Sequence, residues 1–323
     1  MAIAMVGALA VTLAARSATP QRLSVTLDWT PNPDHVGLYY AKAQGIFAAA
    51  GLSVAVHAPS DPASPLKLVA AGRTDLAVSY EQEVFYAAAK HLPVVAVAAM
   101  VPRPLNSLMW IDHSIRSVAG LQGHKIGITG VPSDYAMLDT MLGKEGLSRR
   151  DVHVVSVGYN LLPALLAHRV DAIVGAYRNV EGVELTRRKL RPIVVPVDEA
   201  GVPPYDELVI VASKTRLADD PAYADSVRRF VTAFLLGTTE AREHPARSMQ
   251  ILSAVTASDH GFLSVATPLT LRLLSGPQGV GCMRASEWQR FGTWMAARHL
   301  VARAQVTSAV MTTRFLPGRC TSS

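Results

Sequence analysis

Residues 23–52 read LSVTLDWTPNPDHVGLYYAKAQGIFAAAGL, and their order decides the fold. An alternating apolar segment runs into a polar turn, then into a helix whose apolar side is Val36, Leu38, Tyr39 and Phe47, and leaves through a glycine. This is the strand, turn and helix unit of a parallel sheet. It places Asp28, Trp29, Asn32, Asp34 and His35 after the strand and around the helix start. There, backbone N–H groups lack intrahelical partners and α/β sheets open a crevice. The stretch is expected to form one wall of a ligand cleft.

Outward from it the same grammar repeats. Residues 53–57 alternate as a second strand, and 59–72 read as a helix capped near Ser60 or Asp61. DLAVS at 75–79 is a short buried strand that delivers Tyr80 and Glu81 at its carboxyl end. A helix over 83–90 and the buried strand PVVAVAAM at 93–100 complete a first lobe. The two prolines of VPRPLN (101–106) mark a crossover. Strands are then expected at 107–111, 125–129, 152–157, 171–175 and 191–197, alternating with helices. One of these helices opens at Gly130, Val131, Pro132, Ser133 and Asp134, with Ser133 or Asp134 as its N-cap. The apolar run 208–212 returns to the first lobe as a second crossover, and beyond Asp219 only helices follow, finishing that lobe from outside. The expected class is α/β, with the architecture of a type 2 periplasmic binding protein. Two doubly wound lobes, residues 21–103 with 209–323 and residues 104–208, are joined by two crossovers and hold ligand between them.

Composition agrees with two lobes. The 323 residues are long for one core, and 50% hydrophobic against 17% charged residues excludes a disordered chain. The net charge of +6 is spread thinly, and the densest basic run, Arg187, Arg188, Lys189 and Arg191, has no interleaved aromatics, so no nucleic-acid partner is expected. Residues 1–20 read as a signal-like segment whose apolar part is too short to span a membrane; export is predicted, a frayed tail of a cytosolic protein being the alternative. Leu13, Ala14 and Ala15 resemble a lipoprotein signal, but Arg16 stands where the lipidated cysteine would be, which argues against a lipid anchor. Cys282 and Cys320 are too few for a metal cluster; in an exported protein they can pair.

The candidate ligand-binding residues are the polar and aromatic ones at strand ends. The first lobe offers Asp28, Trp29, Asn32, His35, Tyr80 and Glu81; the second offers Gly130, Ser133, Asp134, Tyr177, Asn179 and Glu181; the return loop adds Tyr205 and Glu207. Aromatic faces beside carboxylates suit a flat, nitrogen-rich heterocycle, the ring stacking while carboxylates accept from its N–H groups. Each residue also has a structural reading. Trp29 can plug the hinge, Asp28 and Asn32 can build the turn, His35 can bond within the early helix, and Ser133 and Asp134 can cap theirs. Glu81 is expected to touch ligand, because glutamate is seldom buried without a partner. The chain has no G-x-S-x-G, H-E-x-x-H or P-loop pattern, and its histidines are dispersed, so neither catalytic residues, metal nor cofactor is expected.

Several segments resemble the NMT1/THI5-like family: DWTPN at 28–32, H-x-G-L-Y at 35–39, A-x-x-x-G-I-F-x-x-x-G-L at 41–52, SYEQEV at 79–84, GITGVPSDYAMLDTM at 127–141, GAYRNVEGVEL at 175–185 and YDELV at 205–209. That family holds substrate-binding proteins of ABC importers and a pyrimidine-forming enzyme branch. The resemblance implies the importer branch. Its ligand would be a small heterocycle, a thiamine-precursor pyrimidine of the hydroxymethylpyrimidine or formylaminopyrimidine type. Riboflavin or a small sulfonate-type anion are alternatives, and the partners of the monomer would be a permease and an ATPase. The enzyme branch would need a lysine for pyridoxal phosphate near Tyr80, a histidine near Val84 and a cysteine-rich cluster. This chain has neither residue type at those positions and no cysteine before Cys282. Relatives often carry an aromatic where Arg178 stands, and Arg178 suits an anionic or phosphorylated group, or plain surface exposure.

Overall fold

The computed structural model describes residues 19–61, 64–158 and 160–320. The signal-like segment therefore lies, save for its last two residues, outside the described residues. The first lobe runs β1 (Gln21–Thr26), α1 (Val36–Ala43), α2 (Ile46–Ala49), β2 (Leu52–His57), α3 (Pro65–Ala70), β3 (Leu76–Ser79), α4 (Glu81–Ala89) and β4 (Val94–Val101). The second runs β5 (Asn106–Trp110), β6 (Lys125–Ile128), α5 (Pro132–Lys144), β7 (His153–Ser156), α6 (Leu161–Leu166), β8 (Ala172–Tyr177), α7 (Glu181–Arg187) and β9 (Ile193–Pro196). Then follow β10 (Leu208–Ser213), α8 (Lys214–Asp219), α9 (Pro221–Glu243), α10 (Pro245–Val255), α11 (His260–Leu273) and α12 (Ala285–Ala297).

Two five-stranded sheets result, ordered β2-β1-β3-β10-β4 and β7-β6-β8-β5-β9. β1 pairs in parallel with β2 and β3, while the returning β10 inserts antiparallel between β3 and β4. In the second sheet β5, the first strand after the crossover, likewise runs antiparallel to β8 and β9. β4 (VVAVAAMV) and β10 (LVIVAS) are buried at every position, as strands covered on both faces must be.

Local details differ from expectation for identifiable reasons. The helix expected over Val36 to Phe47 is two helices preceded by a 3-10 turn, Pro33–His35; Gly45, at φ 71°, ends the first, and Tyr39 is only half-buried. α3 starts at Pro65 after Ser64, later than a cap near Ser60 or Asp61 would give. The N-cap of α5 is Val131, not Ser133 or Asp134. Pro132 takes the first helical position, where its missing N–H is no loss, and the Asp134 carboxylate turns back onto Thr129.

The helical tail does more than finish the first lobe. α9 packs along α1, and at their crossing a Cβ on Gly237 would lie 2.5 Å from that of Ala41, so glycine is what lets the backbones approach. Phe47 and Phe230 stack at 5.1 Å between α2 and α9. Yet α11 packs on α7, Arg187 pairs with Asp259 at 2.9 Å, and Trp294 of α12 donates to Thr140 of α5 at 3.3 Å, so the tail touches both halves. Cys282 and Cys320 form a disulfide, and the segment they anchor covers the outer edge of β4, where the Thr312 N–H is donated to the Ala96 carbonyl at 2.9 Å. Among the described residues no helix is long and apolar enough to cross a membrane.

Candidate functional site

Between the sheets lies a cavity of about 220 Å³ whose lining comes from both halves. The first wall is built by the turn after β1. The Asn32 side chain accepts from the Asp34 N–H at 2.8 Å, and the Asn32 N–H is donated to His35 Nδ1 at 3.2 Å. With Nδ1 an acceptor, the ring proton sits on Nε2, which donates to Asp28 Oδ1 at 2.8 Å. The Tyr80 hydroxyl donates to Asp28 Oδ2 at 2.9 Å, so β3 is tied to β1 at the cavity wall. Asp28 is thereby held in one orientation.

The second wall rests on Glu207, on the returning crossover. Its Oε2 accepts from the backbone N–H groups of Leu105 and Asn106 at 2.7 and 3.1 Å and from the Tyr205 hydroxyl at 2.9 Å; Oε1 accepts from the Tyr177 hydroxyl at 3.1 Å. One carboxylate thus joins both crossovers to a second-lobe tyrosine. The Tyr177 N–H is donated to Glu181 Oε2 at 2.7 Å. Asp134 accepts from the Thr129 N–H at 2.9 Å and from its hydroxyl. Beside it, Gly175 bulges β8 at φ 99°, where a side chain would crowd Thr129 and Asp134.

Among the described residues, six that line the cavity are acidic, Asp28, Asp61, Glu83, Asp134, Glu181 and Glu207, and none is a lysine, arginine or histidine. Burial pushes the Asp134 carboxyl up to about 6 against the hydrogen bonds from Thr129 that lower it, and burial also raises Glu181 and Glu207. The Gln82 carboxamide oxygen is buried with no hydrogen-bond partner among the described residues.

Of the residues singled out in the sequence, Asp28, Trp29, Asn32, Tyr80, Ser133, Asp134, Tyr177, Glu181 and Glu207 line the cavity. His35, Glu81, Gly130 and Tyr205 do not. His35 is buried behind Asp28. Glu81 is fully buried with its Oε2 accepting from the Asp206 N–H at 2.7 Å and does not face the cavity, whereas its neighbours Gln82 and Glu83 line it. Tyr205 is stacked on Phe291 at 4.7 Å, and its hydroxyl is donated to Glu207 at 2.9 Å. Asn179 is buried at the lobe junction. Arg178 is half-buried rather than plainly exposed, its backbone N–H donated to the Leu105 carbonyl at 3.0 Å, and it is not among the residues that line the cavity. Sequence reading missed Asp61, Gln82, Glu83, Asn106, Thr129, Val131, Leu161, Gly175 and Val180. Asn106, closing VPRPLN just where the chain enters the second lobe, is the one whose position in the sequence pointed to the hinge.

The chain matches the family described as NMT1/THI5 like over residues 32–248. A Haemophilus influenzae protein named for thiamine biosynthesis is 39% identical over 231 residues, covering 71% of this chain and 72% of that one. A formylaminopyrimidine-binding protein of Halalkalibacterium halodurans is 32% identical over 288 residues, 86% and 85% of the two chains. At 25% identity over 224 residues, 66% and 65% of the chains, stands a 4-amino-5-hydroxymethyl-2-methylpyrimidine phosphate synthase of Uromyces fabae. The periplasmic aliphatic sulphonate binding protein of Escherichia coli superposes with a TM-score of 0.70 at 16% identity, covering 88% of this chain and 94% of that one; the two share the fold.

Proposed function

This chain belongs to the NMT1/THI5-like family, and from that premise we propose that it is the solute-binding component of an ABC importer, closing two lobes around a thiamine-precursor pyrimidine of the hydroxymethylpyrimidine or formylaminopyrimidine type. The observation that carries the reading is the cleft lining: among the described residues, six carboxylates and no cationic side chain stand around three rings, Trp29, Tyr80 and Tyr177. An aminopyrimidine offers a flat face to those rings and N–H groups to those oxygens, and the open Gln82 oxygen is a further acceptor. The name of the Halalkalibacterium halodurans relative supports the same ligand class.

The alternatives fit the cleft poorly. A sulfonate or phosphate would enter a field of like charge. A tricyclic flavin with its sugar chain is large for about 220 Å³, below the 300–1,000 Å³ usual for drug-sized ligands. For the enzyme reading, the described lining residues supply no lysine to hold pyridoxal phosphate as an imine and no histidine. The chemistry left to these residues is binding. Closure is a hinge motion at the two crossovers, which Glu207 bonds together, and ligand contributes by contacting both walls at once. Export, a disulfide in an oxidising compartment, and delivery to a permease driven by an ATPase belong to the same reading.

Calorimetric titration with formylaminopyrimidine, hydroxymethylpyrimidine, hydroxymethylpyrimidine phosphate, an alkanesulfonate and riboflavin tests it. The two unphosphorylated pyrimidines are expected to bind and to raise the melting temperature by mass action, the three others not. Tight binding of the sulfonate alone, or a pyridoxal absorbance band on the purified protein with pyrimidine formation, would overturn the reading.

A further inference from the structure

Asp34 and Asn179 meet where the lobes touch. Asp34 belongs to the turn after β1, and Asn179 to the loop between β8 and α7. Both side chains are buried, at 1% and 0% exposure, and Asn179 Nδ2 donates to Asp34 Oδ1 at 2.6 Å and to Thr270 Oγ1, on α11, at 2.9 Å. The other oxygen of each residue, Asp34 Oδ2 and Asn179 Oδ1, is buried without a partner among the described residues. A buried anionic oxygen with no donor and a buried amide oxygen with no donor are each costly, and here they sit on the two groups already bonded to each other.

We propose that the lobes close with a proton on Asp34, so that its Oδ2–H is donated to Asn179 Oδ1 and the two side chains form a two-bond acid–amide clasp across the cleft. One proton serves both orphaned oxygens. The clasp lies behind the ligand wall rather than in it: Asp34 follows Asn32 and precedes His35, whose ring orients Asp28. Asp34 and Asn179 are thus positioning residues, acting on ligand through closure. The inference rests on the reading of this protein as one that closes on a ligand.

The groups around Asp34 are consistent with such a proton. Burial raises its carboxyl to about 7, opposed by His35 and the Asn179 bond and aided by Asp28 and Glu207. β4, packed against the turn, carries no titratable group; α1 brings Tyr39, Tyr40 and Lys42, and α11 brings His260 at its start and Arg272 in its last turn. Opening would return the carboxyl to water and its ordinary value near 3.8. The closed state therefore binds more protons than the open one, so closure weakens as pH rises from the ordinary carboxylate range toward 7 and levels off above it.

The substitution Asp34→Asn tests this directly, because an amide at position 34 donates to Asn179 Oδ1 without needing a proton. Formylaminopyrimidine affinity is measured for wild type, Asp34→Asn and Asn179→Ala from pH 5 to 8.5, with calorimetry in two buffers of different ionisation enthalpy. Wild type is expected to take up a proton on binding near pH 6.5, and Asp34→Asn to take up less. Asp34→Asn should also bind about tenfold more tightly than wild type at pH 8, since an anionic orphan oxygen is removed. Asn179→Ala should weaken binding throughout. Small-angle scattering of the unliganded proteins at pH 5.5 and 8 separates the clasp from the choice of ligand. Wild type should be more compact at pH 5.5, and Asp34→Asn equally compact at both. If the scattering behaves so while formylaminopyrimidine binds no variant, the clasp stands and the pyrimidine reading falls. If Asp34→Asn binds no more tightly than wild type at pH 8, or its compactness follows pH as wild type does, the clasp is wrong.

Discussion

A single carboxylate, Glu207, accepts four hydrogen bonds from three directions: two N–H groups of the first crossover, the Tyr205 hydroxyl and the Tyr177 hydroxyl. A glutamine there has one oxygen and an NH₂ group that cannot accept, so Glu207→Gln either strands the backbone pair or takes the acceptor away from the Tyr177 O–H, leaving that hydroxyl to accept instead. Urea denaturation of Glu207→Gln is expected to show a loss of about 2 kcal/mol, with weaker pyrimidine binding alongside; a loss below about 0.5 kcal/mol would mean that the four bonds are not held as described. The same residue shows what sequence can say at this scale. YDELV marked it as a cleft candidate, and it lines the cavity. SYEQEV marked Glu81 equally, yet Glu81 turns inward to the Asp206 N–H while Gln82 and Glu83 face the cavity. Successive residues of a helix point about 100° apart, so which of three adjacent polar side chains faces a ligand depends on how α4 is rotated on its sheet, and spacing alone does not fix that.

At the scale of elements, the wall of the cleft depends on α9 lying close along α1. Gly237 permits the contact, since any β-carbon there would meet the Ala41 backbone as well as its methyl group. Gly237→Val is expected to lower stability by about 3 kcal/mol by forcing the helices apart, read as a drop in the denaturation midpoint. Because α1 carries the Asn32 turn at its start, ligand affinity should fall with it; an unchanged midpoint would show that the crossing can repack. Strand periodicity made β1, β2, β4 and β10 legible, because an alternating run or an unbroken apolar run has few other uses. The break between α1 and α2 was not, since the apolar positions continue through Gly45 and only its left-handed backbone ends the helix. The docking of α11 and α12 on the second half was likewise hidden: an amphipathic face says that it will be covered, not by what.

For the whole molecule, folding buries acids. Asp34 and Asp206 are pushed by burial to about 7 and Asp134 to about 6, all above their ordinary value of 3.8. A carboxyl whose pKa is higher folded than unfolded adds stability fully present below the unfolded value and lost as pH rises through the folded one. The unliganded protein is therefore expected to melt at a higher temperature at pH 5.5 than at pH 8. A melting temperature that rises steadily from pH 5.5 to 8 would contradict the burial of these groups. The sequence by itself determined the α/β class, the two lobes, the two crossovers and the polar strand ends that would face a cleft, because these follow from hydrophobic period and from where glycine and proline interrupt it. Only the tertiary structure decided which polar side chains meet. The lining draws on residues from 28 to 207, and the clasp joins Asp34 to Asn179, 145 positions apart in the chain. Contacts of that span are set by how two separately legible lobes pack on one another, and no local pattern records it.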